Sequence, residues 1–257
     1  MTETILYLQM EARDIDVEVR VNDIPLAWCR QGLQRIQGVA LREWLVQGGN
    51  TLSVRIAPSG RPVNAGAELL VRIARFRHME DLAPDGGREL VAIRPAGLDR
   101  LPVPAEQTVR FAIGADDGTP PSWAWSRAPV LAGAVPPGAV ESQVMSLAAM
   151  FAAADIDGLV AAMAVPMEEL PRAYPAGNRR MMEAALREEL SGLVALDPQM
   201  RRIPLDRAGL RPAAGGRLAE PVDDEGLPLL RSRGGPAPAV VLRLFLGLGP
   251  AGLAVLR

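Results

Sequence analysis

Along the first half of the chain, apolar and polar side chains change places every second residue. In "DVEVRVN", Val17, Val19 and Val21 alternate with Asp16, Glu18, Arg20 and Asn22, and "TLSVRIA" puts Leu52, Val54 and Ile56 on one face. A period of two sends successive side chains to opposite faces of a strand, so each segment predicts a strand with one buried and one wet face. "TVRFAIG" repeats the pattern with Val109, Phe111 and Ile113, and Leu6, Leu8 and Met10 form a row near the start. "ELLVRIARFRHME" begins with Leu69, Val71 and Ile73 but then puts Phe76 on the opposite phase, which a bulge or strand bend near Arg75 would reconcile. "RELVAIRP" is a shorter run ending at Pro95. Clusters of Gly, Pro and Asn separate these runs, and no long helical period intervenes. That combination predicts an all-β antiparallel sandwich.

After Pro137 the period lengthens. Val140, Val144, Leu147, Ala148 and Phe151 share one helical face, and Asp155 is placed to cap a second, short helix that must stop by Pro166. "GNRRMMEAALREELSGL" sets Met182, Leu186, Leu190 and Leu193 on one stripe, with Glu183 and Arg187 as an i,i+4 pair. From Ile203 strands return in "AGLRPA", "GRLAEPVDDEG", "PLLRSR", "AVVLRLFLGL" and "LAVLR", with a turn at residues 223–226. Helices followed by antiparallel strands is an α+β order. Between the halves, "GADDGTPPSWAWSRAPVLAGAVPP" is too rich in Pro and Gly for a regular helix. The predicted organisation is therefore a β-sandwich domain over residues 1–127, a linker over 128–137, and an α+β domain over 138–257 with helices packed on a curved antiparallel sheet.

"VRVNDIPLAW" followed by "LREWLVQGGNTLSVRI" resembles the jelly-roll, galactose-binding-like domains that accompany many glycosidases, over residues 16–57. Those domains carry a strand reading "VNG", then an "LxxGxN" segment leading into "LxVRV". Here Asn22 and Asp23 take the hairpin turn, and Gly48, Gly49 and Asn50 follow Trp44 and Leu45. Glycine accepts positive φ without a steric penalty and Asn tolerates it, so the trio predicts a turn that starts a strand rather than a ligand-reading motif. In the second half, "MSLAAMFAAADIDGLVAAMA" resembles the opening of the cone-shaped nuclear-transport-factor-two-like fold, which includes the SnoaL-like and ketosteroid-isomerase families. The resemblance implies a pocket between helices and sheet, and a sheet face through which members often dimerise. Many members are enzymes using a pocket Asp or His with a Tyr or another donor, while others only bind.

Composition narrows the chemistry. At 257 residues, with 49% apolar and 23% charged side chains, the chain can build two globular cores. All 28 basic residues are arginine, which removes Schiff-base chemistry and the lysine of a phosphate-binding loop. A net charge of −2 gives no electrostatic draw toward nucleic acid or an anionic membrane. The single Cys29 and single His78 support neither an internal disulfide nor a zinc cluster, so no metal or cofactor is expected. The opening "MTETILYLQM" lacks a basic start and carries Glu3, and no apolar stretch approaches membrane-spanning length; the expectation is a cytoplasmic chain.

No catalytic residue emerges from these patterns. Asp155 and Asp157 sit at a helix start, Tyr174 lies beside Pro175 in a loop, His78 reads as a solvated strand residue, and Cys29 as a small core residue. Two uses are open to Trp123 and Trp125. They form a sugar-stacking platform with Asp116 and Asp117 as acceptors, or they pin the two domains together. Their neighbours Pro121, Ser122, Ala124 and Ser126 favour the second. In "VVLRLFLGL", Val240, Leu242, Leu244 and Leu246 make one face and Val241, Arg243 and Phe245 the other. Apolar residues on both faces predict that Val241, Arg243 and Phe245 meet another domain or subunit, and the resemblance to the cone fold implies a homodimer or a protein partner on that face. The expected function is that of a binding or scaffold protein without catalytic machinery, acting on a protein, a small ligand or a sugar. The alternatives are a pocket enzyme of the SnoaL-like or ketosteroid-isomerase type, an immunity-type protein that neutralises a partner, and a carbohydrate-binding protein.

Overall fold

The computed structural model describes residues 4–257 except 31, 58–62, 64–65, 79, 118, 121, 133–134, 136–137, 175–177, 196–208, 225, 232–240 and 251. It falls into two compact units, Met1–Ser122 and Trp123–Arg257. The division thus comes ahead of the expected 127 boundary. Part of the expected 128–137 linker is tied into the second unit: Arg217 donates to the carbonyl of Ala128, and the Leu131 N–H donates to Gly216 at 2.8 Å.

The first unit is built of eight strands: β1 (Thr4–Arg13), β2 (Val17–Val21), β3 (Ile24–Cys29), β4 (Leu33–Ala40), β5 (Gly48–Ile56), β6 (Glu68–Arg77), β7 (Arg88–Ile93) and β8 (Ala105–Ile113). They pair antiparallel into two four-stranded sheets, ordered β4-β1-β6-β7 and β3-β2-β5-β8. One core takes Leu6, Leu8, Leu69, Val71 and Ile73 from the first sheet and Val17, Val19, Val21, Leu52 and Val54 from the second. The alternation in the sequence is therefore the sandwich's inward face. Asn22 and Asp23, at φ 51° and 61°, turn β2 into β3 between the paired Val21 and Ile24. Two left-handed residues in a two-residue loop match the right-handed twist of the strands, which is why Asn and Asp suit this turn.

Phe76 corrects one expectation. β6 pairs with β1 without interruption from Thr4–Arg77 to Arg13–Glu68, so no bulge against β1 rotates Phe76 into the core. A register shift does occur against β7, between Ile73 and Ala74. Phe76 stays on the outer face, at 1% exposure, with its ring centre 5.7 Å from that of Tyr7 in a near-perpendicular arrangement and Gly87 lying against its ring. A Cβ on Gly87 would sit 2.8 Å from that ring, and its φ of 68° also favours glycine. Beside it, buried Arg72 donates to Gln9 at 2.8 Å and to the Gly86 carbonyl at 2.7 Å, while Gln9 donates to the carbonyls of Leu82 and Ala83. The segment before β7 is thereby fastened over an outward-facing row.

The second unit opens with five helices: α1 (Ala124–Arg127), α2 (Ala139–Ala152), α3 (Ile156–Ala162), α4 (Ala164–Ala173) and α5 (Arg179–Ala195). Asp155 caps α3 by accepting from the Gly158 N–H at 2.8 Å. α3 ends at Ala162, ahead of Pro166 as expected, and a further helix, α4, starts two residues before Pro166 and carries it in the first turn, where the missing N–H has no intrahelical partner to lose. Arg187 on α5 pairs with Asp157 at 2.5 Å and Glu183 at 3.3 Å, and these two carboxylates raise its already high pKa. Strands β9 (Gly209–Ala213), β10 (Leu218–Val222), β13 (Leu246–Gly249) and β14 (Gly252–Val255) form an antiparallel sheet ordered β14-β13-β10-β9. The short β11 (Leu230–Arg231) and β12 (Val241–Leu242) pair separately. Val144, Leu147, Phe151, Leu159, Leu186 and Leu190 pack with Leu246 and Val255, so the helices bury their apolar stripes on the sheet. Among the described residues, no helix is long and apolar enough to cross a membrane.

Candidate functional site

The first unit carries a cavity of about 650 Å³ where β1, β6 and β7 end. Its charged wall is an extension of the core row. Leu69, Val71 and Ile73 are followed on the same phase by Arg75 and Arg77, and β7 sets Arg88 directly opposite Arg75. Thr4 lies opposite Arg77 on β1, and its carbonyl accepts from buried Arg42 at 2.5 Å. Asp117, 7% exposed, pairs with Arg75 and accepts the Gly114 N–H at 3.1 Å. Arg75 keeps a buried Nε–H without a hydrogen-bond partner. Glu80, also on the lining, accepts the Arg77 backbone N–H at 2.7 Å. Patterning identified none of Arg75, Arg77 or Arg88 as site residues. The signal was an apolar inward row that turns basic at its end.

The motif Leu41–Pro58 is structural where it is described. Asn50, 2% exposed, accepts from the Val46 N–H at 3.0 Å and from the Asn22 amide at 2.8 Å, and donates to the Val46 carbonyl at 2.8 Å. Asn22 in turn donates to the Trp44 carbonyl at 2.9 Å and accepts from the Thr51 N–H at 3.0 Å. Gly48 has φ 88°, so the trio contains the positive φ that its composition predicts. The two Asn side chains are consumed in holding the turn.

Trp123 and Trp125 are 0% and 4% exposed, which leaves neither ring face open to a sugar. Trp123 precedes α1, with the Arg257 guanidinium 4.9 Å and the Arg172 guanidinium 5.7 Å from its ring centre. Glu169 faces Arg257 at 3.0 Å and accepts the Ala124 N–H at 2.7 Å, which ties α4 to α1. Asp117 is paired with Arg75, and Asp116 lies in a short turn with a side chain outside the described residues.

The row Val241, Arg243, Phe245 is not an open sheet face. Instead of one strand through Leu246, the chain leaves β12 at Leu242 and enters β13 at Leu246, and Val240 lies outside the described residues. Phe245 is 0% exposed, and its backbone pairs with the chain end: Phe245 N–H to Arg257 at 2.5 Å and Leu256 N–H to Phe245 at 2.8 Å. Arg243 sits 5.2 Å from the Phe245 ring and forks onto Glu220, with Nε–Oε1 2.6 Å and Nη2–Oε2 2.5 Å. Arg211 reaches the same carboxylate at 2.6 Å. Glu220 is wholly buried, so one carboxylate joins β9, β10 and the segment after β12. Val241 is placed in β12, with its side chain undescribed.

Other sequence candidates are placed singly. His78 is exposed beyond β6 and Tyr174 ends α4. Cys29 is buried, and that burial, helped by Asp16, pushes its thiol above the ordinary range, away from nucleophilic thiolate. Among the described residues, no cluster of His, Cys, Asp and Glu has the makings of a metal site. No family model, curated protein or solved structure matches the chain.

Proposed function

We propose that the chain is a binding protein with no acid–base chemistry of its own. The observation that carries this is how the second unit's buried carboxylates are held among the described residues: Glu220 by two arginines, Glu169 by an ion pair to Arg257 and a backbone N–H, and Asp223 by the Leu227 N–H. A general base needs a lone pair free for substrate; both Glu220 oxygens are taken by guanidinium donors, and Glu169 Oε2, which accepts no hydrogen bond, is buried against the Arg257 guanidinium. Asp155 and Asp157 are likewise engaged, one in a helix cap and one by Arg187. On this proposal the first unit is a jelly-roll-like ligand-binding domain and the second a cone-like α+β domain closed by ion pairs. The two four-stranded sheets sharing one core support the former, and helices packed on one antiparallel sheet support the latter.

The test is a screen of the purified chain against a panel of small metabolites. Thermal unfolding reads binding, and NMR of each ligand before and after prolonged incubation reads turnover. A raised midpoint with the ligand unchanged is the expected result. Conversion of any ligand at a rate that follows protein concentration would overturn the proposal and restore the pocket-enzyme alternative.

A further inference from the structure

We infer that the cavity at the end of β1, β6 and β7 is a binding site for a small polyanion, a molecule bearing two or more phosphate or carboxylate groups. The inference rests on the binding proposal and deepens it by naming a place and a ligand class. Three arginines converge there. Arg75 and Arg88 stand directly across from one another in the ladder, and Arg77 is two residues along on the same phase. Like charges directly opposite on paired strands repel and destabilise the sheet.

The local carboxylates do not balance them. Asp117 is committed to Arg75, and Glu80 is turned onto the Arg77 backbone N–H. Among the described residues, the exposed side chains of Arg77 and Arg88 have no ion-pair partner. Planar guanidinium forks match the oxygens of phosphate and carboxylate groups, and two of them at one mouth favour a ligand with two such groups. Phe76 and Gly87 also border the cavity. About 650 Å³ is the volume of a small-molecule site rather than of a flat protein contact.

Calorimetric titration of the full chain in low-salt buffer with pyrophosphate, and separately with citrate, tests this. One or both should bind at a single site, with affinity falling steeply as sodium chloride is added. Stronger binding of pyrophosphate would assign the site to phosphate groups, and stronger binding of citrate to carboxylates. Arg77→Gln combined with Arg88→Gln should reduce affinity at least tenfold. Arg110→Gln, an exposed arginine on β8, should leave it unchanged. Without anion the double variant should unfold no earlier than the parent, because it removes a repulsion.

Three results would overturn the site. They are no binding of either anion, equal losses in the Arg110 and double variants, or a double variant that unfolds several degrees early without ligand. In each case a neutral ligand found in the metabolite screen would leave the binding proposal standing. Hydrolysis of pyrophosphate by the chain would instead overturn that proposal.

Discussion

Asn50 in the first unit and Glu220 in the second are both withdrawn from water, at 2% and 0% exposure, and they are held in different ways. Asn50 folds its neutral amide onto the backbone of Val46 and Gly48, four and two residues away, and takes one further bond from the neutral Asn22 amide. Glu220 holds Arg211 and Arg243, 9 and 23 residues away in sequence, and brings three segments to one carboxylate. A neutral turn made locally tolerates the loss of one partner better than a buried ion pair, where the remaining charge is left without compensation.

The largest expected effect follows from that contrast. Glu220→Ala leaves two largely buried guanidiniums facing each other and should lower stability by about 3 kcal/mol or more, read from urea unfolding of the full chain. Replacing all three members with apolar residues of similar size should recover much of that loss. If the single variant is as stable as the parent, the second unit is not organised around this charge and the contrast fails. Asn50→Ala comes next, at about 2 kcal/mol, because it strands the half-buried Val46 N–H and carbonyl. Faster hydrogen exchange at the Val46 amide, ahead of global unfolding, should accompany it. A loss greater than that of Glu220→Ala would reverse the ranking.

Smaller effects sharpen the local side of the comparison. Around Gly48 a Cβ would meet nothing within 4 Å, so any penalty there is purely backbone. Gly48→Val should lower the thermal midpoint by the equivalent of about 1 kcal/mol or more, whereas Gly49→Ala, with no positive φ and equally open space, should not. Equal midpoints for the two would show that the turn does not require a left-handed residue. The smallest effect concerns Glu89 on β7, whose carboxyl the hydrogen bond from Arg94 holds below its ordinary 4.5. A carboxyl depressed in the folded state adds stability above its unfolded value, and that stability drains away as pH falls below 4.5 through the folded value. The pair is solvent-exposed, so Glu89→Gln should flatten the acid limb of the stability curve by less than about 1 kcal/mol. An unchanged limb would mean that the pair contributes nothing.

Much of the first unit was legible because its order is local. Leu6, Leu8 and Met10, or Val17, Val19 and Val21, declare a face by alternation alone. Asn22–Asp23 and Gly48 declare turns by the φ they tolerate. The helical stripe of Leu186, Leu190 and Leu193 and the cap at Asp155 were legible for the same reason. The candidate cavity was half legible: Arg75 and Arg77 continue the inward phase of β6, but only strand pairing set Arg88 against Arg75.

Elsewhere local pattern misled. Phe76 looked like a core residue displaced by a bulge, although it belongs to a second apolar contact on the outer face. Trp123 and Trp125 are buried, as their favoured reading has it, but their Pro-rich stretch gave no sign of the arginines distant in sequence that lie beside Trp123. Arg243 and Phe245 read as a surface because alternation says nothing of the carboxylate or the chain end that covers them.

By itself the sequence determined the two periods, the turns that need left-handed residues, the capped helix start, and an apolar inward row that becomes basic. Each of these is set by side chains within a few residues of one another, where backbone sterics and periodicity act directly. Only the tertiary structure decided which charges neutralise which, where the chain divides, and which arginines are left facing a cavity. Those outcomes depend on through-space contacts between strands and helices, and Coulombic pairing is blind to distance along the chain.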